Sequence, residues 1–277
     1  MVKQILDGRE NAFYWRHERR RGLCAARNTG ITKSKGEFIV FLDDDDVLKP
    51  NSLEKRIAKV KELSSSELET IGVIYSGCEV HISHENRITY TMPLIQGNIA
   101  DGIRTKGLST IPSTGMYPRN ALEKIGGFDE TLISSVDHDL WMALAKHGFH
   151  ALAIYEPLTI TYNHKRRKSM VTDAIPRIQG VEEYIEKWCH VYEDWYGVNG
   201  AQRYIKAYRT RVLGRLVAVK ISNGEWPESY RLLKHVLRKN SMAFGEHIRL
   251  FSFILFAIVR KHLPVSIITL IRGGKTG

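Results

Sequence analysis

The chain has little cysteine and none of the common glycine-rich nucleotide motifs. Its three cysteines, Cys24, Cys78 and Cys189, are far apart and form neither a CxxC pair nor a Cys/His zinc spacing. This usage predicts a reduced, cytoplasmic compartment. Because GxGxxG and GxxxxGK(S/T) are both absent, the dinucleotide-binding and P-loop interpretations find no support.

Long apolar runs are also absent. A spanning helix needs about 18 consecutive apolar residues, and no such run occurs. The first 22 residues contain no apolar stretch typical of a signal peptide. The longest apolar segment, residues 250–259, corresponds to a helix of about 15 Å, which is half a hydrocarbon core. It is flanked by Arg249, Arg260 and Lys261. We therefore expect peripheral contact with an anionic membrane, on the inner face of the cell membrane, and ordinary core packing is the alternative.

Positive charge is in excess. Lys+Arg 41 against Asp+Glu 30 gives a formal net charge of +11. Such a surplus suits nucleic acid, an anionic membrane or a phosphate-bearing substrate, and a solvated basic surface is the simpler explanation. No RNP, zinc or helix-turn-helix signature accompanies the charge, so nucleic acid is not the expected partner.

The pattern of apolar residues predicts an α/β domain followed by helices. We expect a short strand over 12–17 and a buried central parallel strand over 36–43. A helix should begin after Asn51 as N-cap, with Glu54 as its capping-box partner. Further predicted elements are a strand over 71–75, a helix over 119–125, a helix over 137–147 and a strand over 151–162. Beyond about residue 176 the pattern is purely helical, which divides the chain into domains 1–175 and 176–277.

Four adjacent carboxylates follow the buried strand. Asp43, Asp44, Asp45 and Asp46 gather negative charge at the carboxyl end of a strand, where open α/β folds place ligands. The four carboxylates repel one another, and a bound cation relieves this repulsion. Their oxygen atoms are ligands that suit Mg²⁺ or Mn²⁺. On an extended segment Asp43 and Asp45 face the same side and can converge on one ion. The alternative is a solvated acidic turn before the next helix.

The segment RGLCAARNTGITKSKGEFIVFLDDDDVLKPNSLEK resembles the family-2 glycosyltransferases of GT-A fold. The resemblance continues through STGMYPRNALEKIGGFDE (113–130), VDHDLW (136–141) and YNH (162–164). The positions that match the family pattern are Gly22, Ala26, Arg27, Asn28, Gly30, Gly36, Glu37, Asp43, Asp45 and Asp46. The implied fold is a GT-A-like, Rossmann-like α/β core with a C-terminal helical region.

The resemblance implies roles for the acidic cluster and the residues before it. Asp43 and Asp45 correspond to the DxD pair that holds a metal and the donor diphosphate, with Asp45 as the direct metal ligand. Asp44 joins the donor site. Arg27 and Asn28 lie in the motif beside the nucleotide, and the forked guanidinium of Arg27 suits phosphate. For Arg27 a structural ion pair with the acidic cluster is the alternative.

Two later motifs complete the implied site. Asp137 corresponds to the general base of inverting members, although Val136 stands where the family usually has Glu. A base at this position would take the proton of an acceptor hydroxyl. The alternative is that Asp137 and Asp139 only stabilise a helix N-terminus, and for Asp139 we expect that structural role. His164 matches a late histidine near the metal or diphosphate, and a purely structural histidine is the alternative.

The expected function is transfer of a sugar from a nucleotide-diphosphate sugar to a glycan or lipid-linked acceptor, with inversion and with Mn²⁺ or Mg²⁺. UDP-sugar is the expected donor because it is the family's commonest. Relatives open with a VSVIIPTYN-like strand and a second strand ending in a DDGS-like turn, and neither precedes residue 12. We therefore expect an N-terminally truncated domain that lacks about 60–80 residues, or two strand–helix units. The alternative function is a catalytically impaired remnant that binds only a membrane or a protein.

Overall fold

The computed structural model describes residues 9–82, 86–108, 112–163 and 173–240, together with Leu255. In these residues seven strands form one mixed sheet. The strands are β1 Phe38–Val40, β2 Val47–Leu48, β3 Ile71–Ile82, β4 Arg87–Thr91, β5 Gly97–Asn98, β6 Gly115–Pro118 and β7 His150–Asn163. Their order in the sheet is β1-β6-β3-β7-β2, with β4 paired to β3 and β5 paired to β7.

The centre of the sheet is the parallel pair β3 and β7. Both strands are long, and they stay in contact from Ile71 opposite His150 to Ile82 opposite Asn163. The other pairings in the described sheet are antiparallel. The first eight residues of β3 are all buried, which is expected of a strand covered on both faces.

Helices cover the two faces of this sheet. They are α1 Leu23–Lys33, α2 Ser52–Lys61, α3 Ser65–Thr70, α4 Ile99–Lys106, α5 Arg119–Lys124, α6 Val136–Lys146, α7 Ala174–Ser222 and α8 Trp226–Asn240. On one face, Ile57 and Val60 of α2 pack against a small core that includes Ile74 and Leu152. The larger core lies on the other face, where Val73 meets helices α1, α4, α5, α6, α7 and α8. Alternate side chains of β3 thus serve opposite faces, as the pleat of a strand requires.

The helical region packs on α6. Helix α7 is interrupted at Gly197, whose backbone has φ 66° and ψ 165°. Near its start, Gly180 lies against Ser134, and a Cβ atom at position 180 would be 2.2 Å from Ser134 Oγ. Buried side chains of α7 and α8 join the same core as α6. In the described part of the chain, no helix is both long enough and apolar enough to cross a bilayer.

The mixed α/β class with a helical C-terminal region is confirmed, and the helices predicted near 119–125 and 137–147 are present as α5 and α6. The division at residue 175 stays a prediction. The apolar segment 250–259, with its expected membrane contact, lies outside the described residues except for Leu255.

Three local predictions are wrong. Residues 12–17 form no strand. The strand predicted over 36–43 covers only Phe38–Val40 and lies at an edge of the described sheet, antiparallel to β6. Only alternate residues of its apolar run are buried, which is typical of a strand with one covered face and not of a central parallel strand. Asn51 is the N-cap of α2, but its side chain makes no cap hydrogen bond. A capping box forms instead between Ser64 and Glu67 at α3.

Candidate active site

Arg27 joins two distant acidic segments. It lies on α1 with only 7% of its surface exposed. Its Nη1 donates to Asp137 Oδ1 at 2.8 Å, and its Nη2 donates to Asp43 Oδ1 at 3.1 Å. The rings of Phe41 and Phe128 lie 5.8 Å and 5.1 Å from its guanidinium carbon. One buried cation therefore brings the acidic cluster and the start of α6 together.

The charge of Arg27 is stabilised by its partners. Burial lowers the pKa of a guanidinium, but the two carboxylates outweigh burial and raise the pKa of Arg27 above its usual value. Arg27 is thus a fixed positive charge at every relevant pH. Its predicted alternative role, an ion pair with the acidic cluster, is present in the structure, and the pair with Asp137 was not foreseen.

The acidic cluster is a turn. The amide of Asp46 donates to Asp43 O at 3.1 Å, and Asp44 and Asp45 occupy the centre of the turn. The expectation of an extended segment is wrong here, because the chain reverses between β1 and β2. Asp44 is exposed, while Asp43, Asp45 and Asp46 are half-buried. Convergence of Asp43 and Asp45 on one ion stays a prediction.

Asp137 lies in the first turn of α6. The N-cap of this helix is Ser135, which adopts the left-handed region with φ 62°. The Asp137 side chain keeps 33% of its surface exposed. Burial raises the pKa of its carboxyl group above the usual value, although the Arg27 guanidinium opposes the shift. A raised pKa makes this carboxylate a stronger proton acceptor, which is what a general base requires.

Asp139 points to a different partner. Its Oδ1 accepts a hydrogen bond from Trp188 Nε1 at 2.7 Å, and Lys187 Nζ lies 2.8 Å from the same oxygen. Lys187 also binds Asp129 at 2.7 Å. Residues two apart on a helix are about 200° apart around its axis, so Asp137 and Asp139 necessarily face different neighbours. Asp139 therefore anchors α6 to the helical region.

His138, between the two aspartates, is neutral. Its Nδ1 is 2.9 Å from the hydroxyl of Tyr208. Burial lowers the pKa of His138 to about 3, and the charges of Arg177, Arg211 and Arg215 act in the same direction. This histidine therefore packs against α7 without carrying charge near neutral pH.

The remaining predicted residues do not all reach Arg27. The side-chain amide of Asn28 binds the backbone of Phe128 and the carboxylate of Glu130, so Asn28 fixes the turn at 126–130. Gly127 in that turn has φ 75°, and a Cβ atom there would be 2.6 Å from Asn28 Oδ1. Asn28 therefore stabilises the turn at 126–130 and makes no contact with the acidic cluster in these hydrogen bonds. His164 lies outside the described residues.

Ser113 and Arg56 are the residues that sequence reasoning missed. Ser113 is fully buried, and its Oγ accepts the amide of Asp43 at 3.1 Å. It lies in the motif that begins at residue 113, so a signal was present, but a serine has too many ordinary roles to single out. Arg56 is fully buried on α2, where helical spacing alone gives no reason to expect a charge.

A groove runs beside the acidic turn. It has a volume of about 410 Å³ and extends along the exposed edge of β1, with α1 on its other side. Its apolar lining includes Leu23, Ala26, Phe38 and Val40, and Arg27 and Asp43 also line it. An apolar groove that includes charged groups suits a ligand with an apolar body and an anionic group.

The acidic turn fits a divalent ion that is held jointly with a phosphate ligand. Among the described residues no group of three or more His, Cys, Asp or Glu side chains is arranged to hold a metal alone. Mg²⁺ commonly binds through one or two carboxylates plus substrate phosphates and water. Two half-buried aspartates beside an open groove match that ligand set.

The protein is therefore a mixed α/β protein with an acidic turn after the edge strand β1. Arg27 connects Asp43 of this turn to the carboxylate of Asp137. Residues 1–126 match the model of glycosyl transferase family 2. This part of the chain is therefore similar to that family, which confirms the resemblance carried by the motif at residues 21–55.

Two curated relatives are both described as uncharacterized glycosyltransferases. The chain is 28% identical over 199 residues to an uncharacterized glycosyltransferase of Haemophilus influenzae, covering 70% of this chain and 65% of that protein. It is 31% identical over 133 residues to the uncharacterized glycosyltransferase YwdF of Bacillus subtilis, covering 47% of this chain and 46% of that protein. The chain thus spans about half to two thirds of the length of these relatives.

A solved structure of a mannosyltransferase from Pyrobaculum calidifontis, in complex with GDP-Man and Mn²⁺, is also similar. The sequence identity is 17% and the TM-score 0.43, with 88% of this chain and 67% of that chain covered.

Proposed function

We propose that this chain is the sugar-transferring part of a glycosyltransferase that uses a nucleotide-diphosphate sugar and a divalent ion and inverts the sugar's configuration. The single observation that carries the proposal is the position of Arg27, which binds Asp43 of the acidic turn and Asp137 of α6 at once. The family match over residues 1–126 supports the class of reaction.

In this proposal the acidic turn binds the donor and Asp137 acts on the acceptor. The groove and the acidic turn bind the donor, with its diphosphate beside Asp43, Asp44 and Asp45. A divalent ion held by Asp43 and Asp45 would supply positive charge to the diphosphate. Arg27 keeps a fixed positive charge between the two acidic segments, so it weakens the repulsion between Asp137 and the donor diphosphate.

Asp137 is the proposed base. It accepts the proton of the acceptor hydroxyl, whose oxygen forms a bond to the anomeric carbon of the sugar. The bond from that carbon to the diphosphate breaks on the opposite side, and the nucleoside diphosphate leaves with the bonding electrons. Attack opposite to the leaving group inverts the anomeric centre. Because burial raises the pKa of Asp137, its ionised form is a better proton acceptor than an exposed aspartate.

The donor site is tested by nucleotide binding. We expect calorimetry with UDP and with GDP to give binding only when Mn²⁺ or Mg²⁺ is present, and Asp45→Asn to abolish it without unfolding the chain. Asp101, an exposed residue of α4, provides the matched control, since Asp101→Asn removes a charge far from the turn. Equal affinity with Mn²⁺ and with EDTA would refute the metal-dependent site.

The acceptor is proposed to be a glycan or a lipid-linked glycan. The sequence of residues 246–272, which places basic residues beside the apolar run 250–259, supports a protein that works at an anionic membrane face. Vesicle flotation of the full chain and of a chain that ends at Gly245 tests this location. Preferential loss of binding to anionic vesicles in the shorter chain is expected, and equal flotation of both chains contradicts it.

A further inference from the structure

We propose that Arg56 is a positioning residue that holds the acidic turn in place from inside the protein, through Thr159 and Ser113. The inference rests on the proposed function, since it assumes that the acidic turn binds the donor and must be held in one conformation to do so. Arg56 does not touch the turn itself. It acts through a row of hydrogen bonds that ends at the backbone of Asp43.

Arg56 is a buried charge without a counter-ion. Its side chain on α2 has 0% exposure. Its Nη2 donates to Ser76 Oγ and to Thr159 Oγ1, both at 3.3 Å. Within residues 9–82, 86–108, 112–163 and 173–240, no carboxylate forms an ion pair with it. Burial lowers the pKa of Arg56 to about 10, so the group is still charged at neutral pH.

The direction of the hydrogen bonds is fixed by the two hydroxyl groups. Thr159 Oγ1 donates its proton to Ser113 O at 3.0 Å, and Ser76 Oγ donates its proton to Gly77 O at 3.1 Å. Each hydroxyl has one proton, so both oxygens can only accept from Arg56. An apolar or ionised acidic side chain at position 56 has no proton to donate and cannot supply these two bonds.

The row then reaches the donor site. Ser113, whose carbonyl is held by Thr159, uses its own hydroxyl to accept the Asp43 amide at 3.1 Å. The Asp43 carboxylate is held from the other side by Arg27 at 3.1 Å. Asp43 is therefore fixed at both its backbone and its side chain, and Asp46 is tied to it through the turn.

The cost of burying Arg56 argues that its role is not stability. In the part of the chain that the structure describes, its Nε and Nη1 atoms have no hydrogen-bond partner, and neither does the buried hydroxyl of Ser52, one turn earlier on α2. Replacing a buried, incompletely paired charge by an apolar side chain is often neutral or stabilising. We therefore expect Arg56→Met to leave the melting temperature unchanged or higher, while the acidic turn loosens.

Amide hydrogen exchange tests the positioning directly. In Arg56→Met and in Thr159→Val, the amides of residues 43–46 should exchange about tenfold faster than in the unaltered chain, because the support of Ser113 is lost. Ser76→Ala is the matched control. It removes the other acceptor of Arg56, which leads to Gly77 and not to Asp43, so exchange in the turn should stay unchanged.

Equal exchange at residues 43–46 in all four proteins would overturn the inference. So would faster exchange in Ser76→Ala of the same size as in Thr159→Val, since that would indicate general loosening. If Arg56→Met does not fold, Thr159→Val and Ser76→Ala still decide between these outcomes.

Nucleotide binding provides the second measurement. With Mn²⁺ present, the Kd for UDP or GDP should rise about tenfold in Arg56→Met and in Thr159→Val, and Arg56→Lys should recover part of the loss because lysine can still donate to both hydroxyls. Unchanged affinity in both variants would overturn the link to the site. If the unaltered chain binds neither nucleotide, the proposed function fails, while the exchange rates still decide whether Arg56 positions the turn.

Discussion

The α/β part of the chain and the helical region both contain buried arginines, but the partners of these arginines differ. In the helical region, the guanidinium of Arg209 binds both oxygens of Glu182, which also accepts from His235. In the α/β part, Arg56 on α2 has only hydroxyl partners among the described residues, and Arg27 on α1 is shared by two carboxylates. The paired charge of Arg209 is suited to stability, whereas Arg56 has no carboxylate partner within the described ranges and is costly to bury.

Helix α6 lies at the border between the two regions. Asp137 is bound by Arg27, on the side of the acidic turn, and Asp139 is bound by Lys187 and Trp188 of α7. The same residue type at two neighbouring positions should therefore respond differently to substitution. Changes on the Arg27 side should affect transfer, and changes on the α7 side should affect stability.

The largest expected effect is at Asp137. Asp137→Asn should lower the rate of sugar transfer by about 10²–10⁴-fold, because the acceptor proton loses its base. Metal-dependent nucleotide binding should change little. Single-turnover assays and calorimetry on the same preparation measure both quantities. Asp194→Asn, an exposed change on α7, is the control, and near-normal turnover in Asp137→Asn would leave Asp137 with only a helix-terminal role.

A smaller effect, on stability, is expected at Lys187. Lys187→Met leaves the buried carboxylate of Asp139 with Trp188 as its remaining partner, which should cost about 2–3 kcal/mol in the free energy of unfolding. Urea unfolding measures the loss, with Arg203→Met, an exposed change on the same helix, as the control. Nucleotide affinity in the folded protein should be unaltered. A loss below that of Arg203→Met would mean that Asp139 does not depend on Lys187.

The smallest expected effect is the contribution of Asp129 to the free energy of unfolding, which should depend on pH. Burial opposes ionisation of this carboxyl, but hydrogen bonds from Lys187 and Thr131 outweigh it and lower its pKa to about 2 from an ordinary value of 3.8. A carboxyl group with a depressed folded pKa stabilises the protein above its unfolded pKa. This stabilisation is lost as the pH falls from about 4 to about 2.

At pH 6 the unaltered chain should therefore be about 2 kcal/mol more stable than Asp129→Asn, and the difference should disappear as the pH falls below about 2. Urea unfolding of both proteins at several pH values measures it. A difference that is constant with pH would show that Asp129 does not titrate as its contacts require.

The sequence predicted the elements better than their arrangement. The apolar spacing of residues 137–147 predicted a helix, and the helix is present, with Trp141 buried in it at 3% exposure. Periodicity reports which residues face a core, but not which strand lies beside which, so the edge position of β1 was missed. The turn at 43–46 was missed because four aspartates are compatible with either an extended segment or a turn.

Pairs far apart in sequence were the least predictable part of the site. Motifs pointed to Arg27, Asp43 and Asp137 separately, but the distance of 110 residues between Arg27 and Asp137 gave no indication of direct contact. Lys187, which binds Asp139, lies in a helical region that matched no motif. Arg56 could not be found, because apolar periodicity places arginine on the outside of a helix and its burial depends on hydroxyls from β3 and β7.

Gly180 sets how closely the helical region can approach the start of α6. Because a Cβ atom there would be 2.2 Å from Ser134 Oγ, even alanine would push α7 away from the residue that precedes the N-cap Ser135. The spacing of the two regions is therefore defined by the absence of a single methyl group. Any side chain at position 180 should therefore move α7 relative to α6, whereas the exposed side chain of the adjacent Gln179 does not lie in this contact.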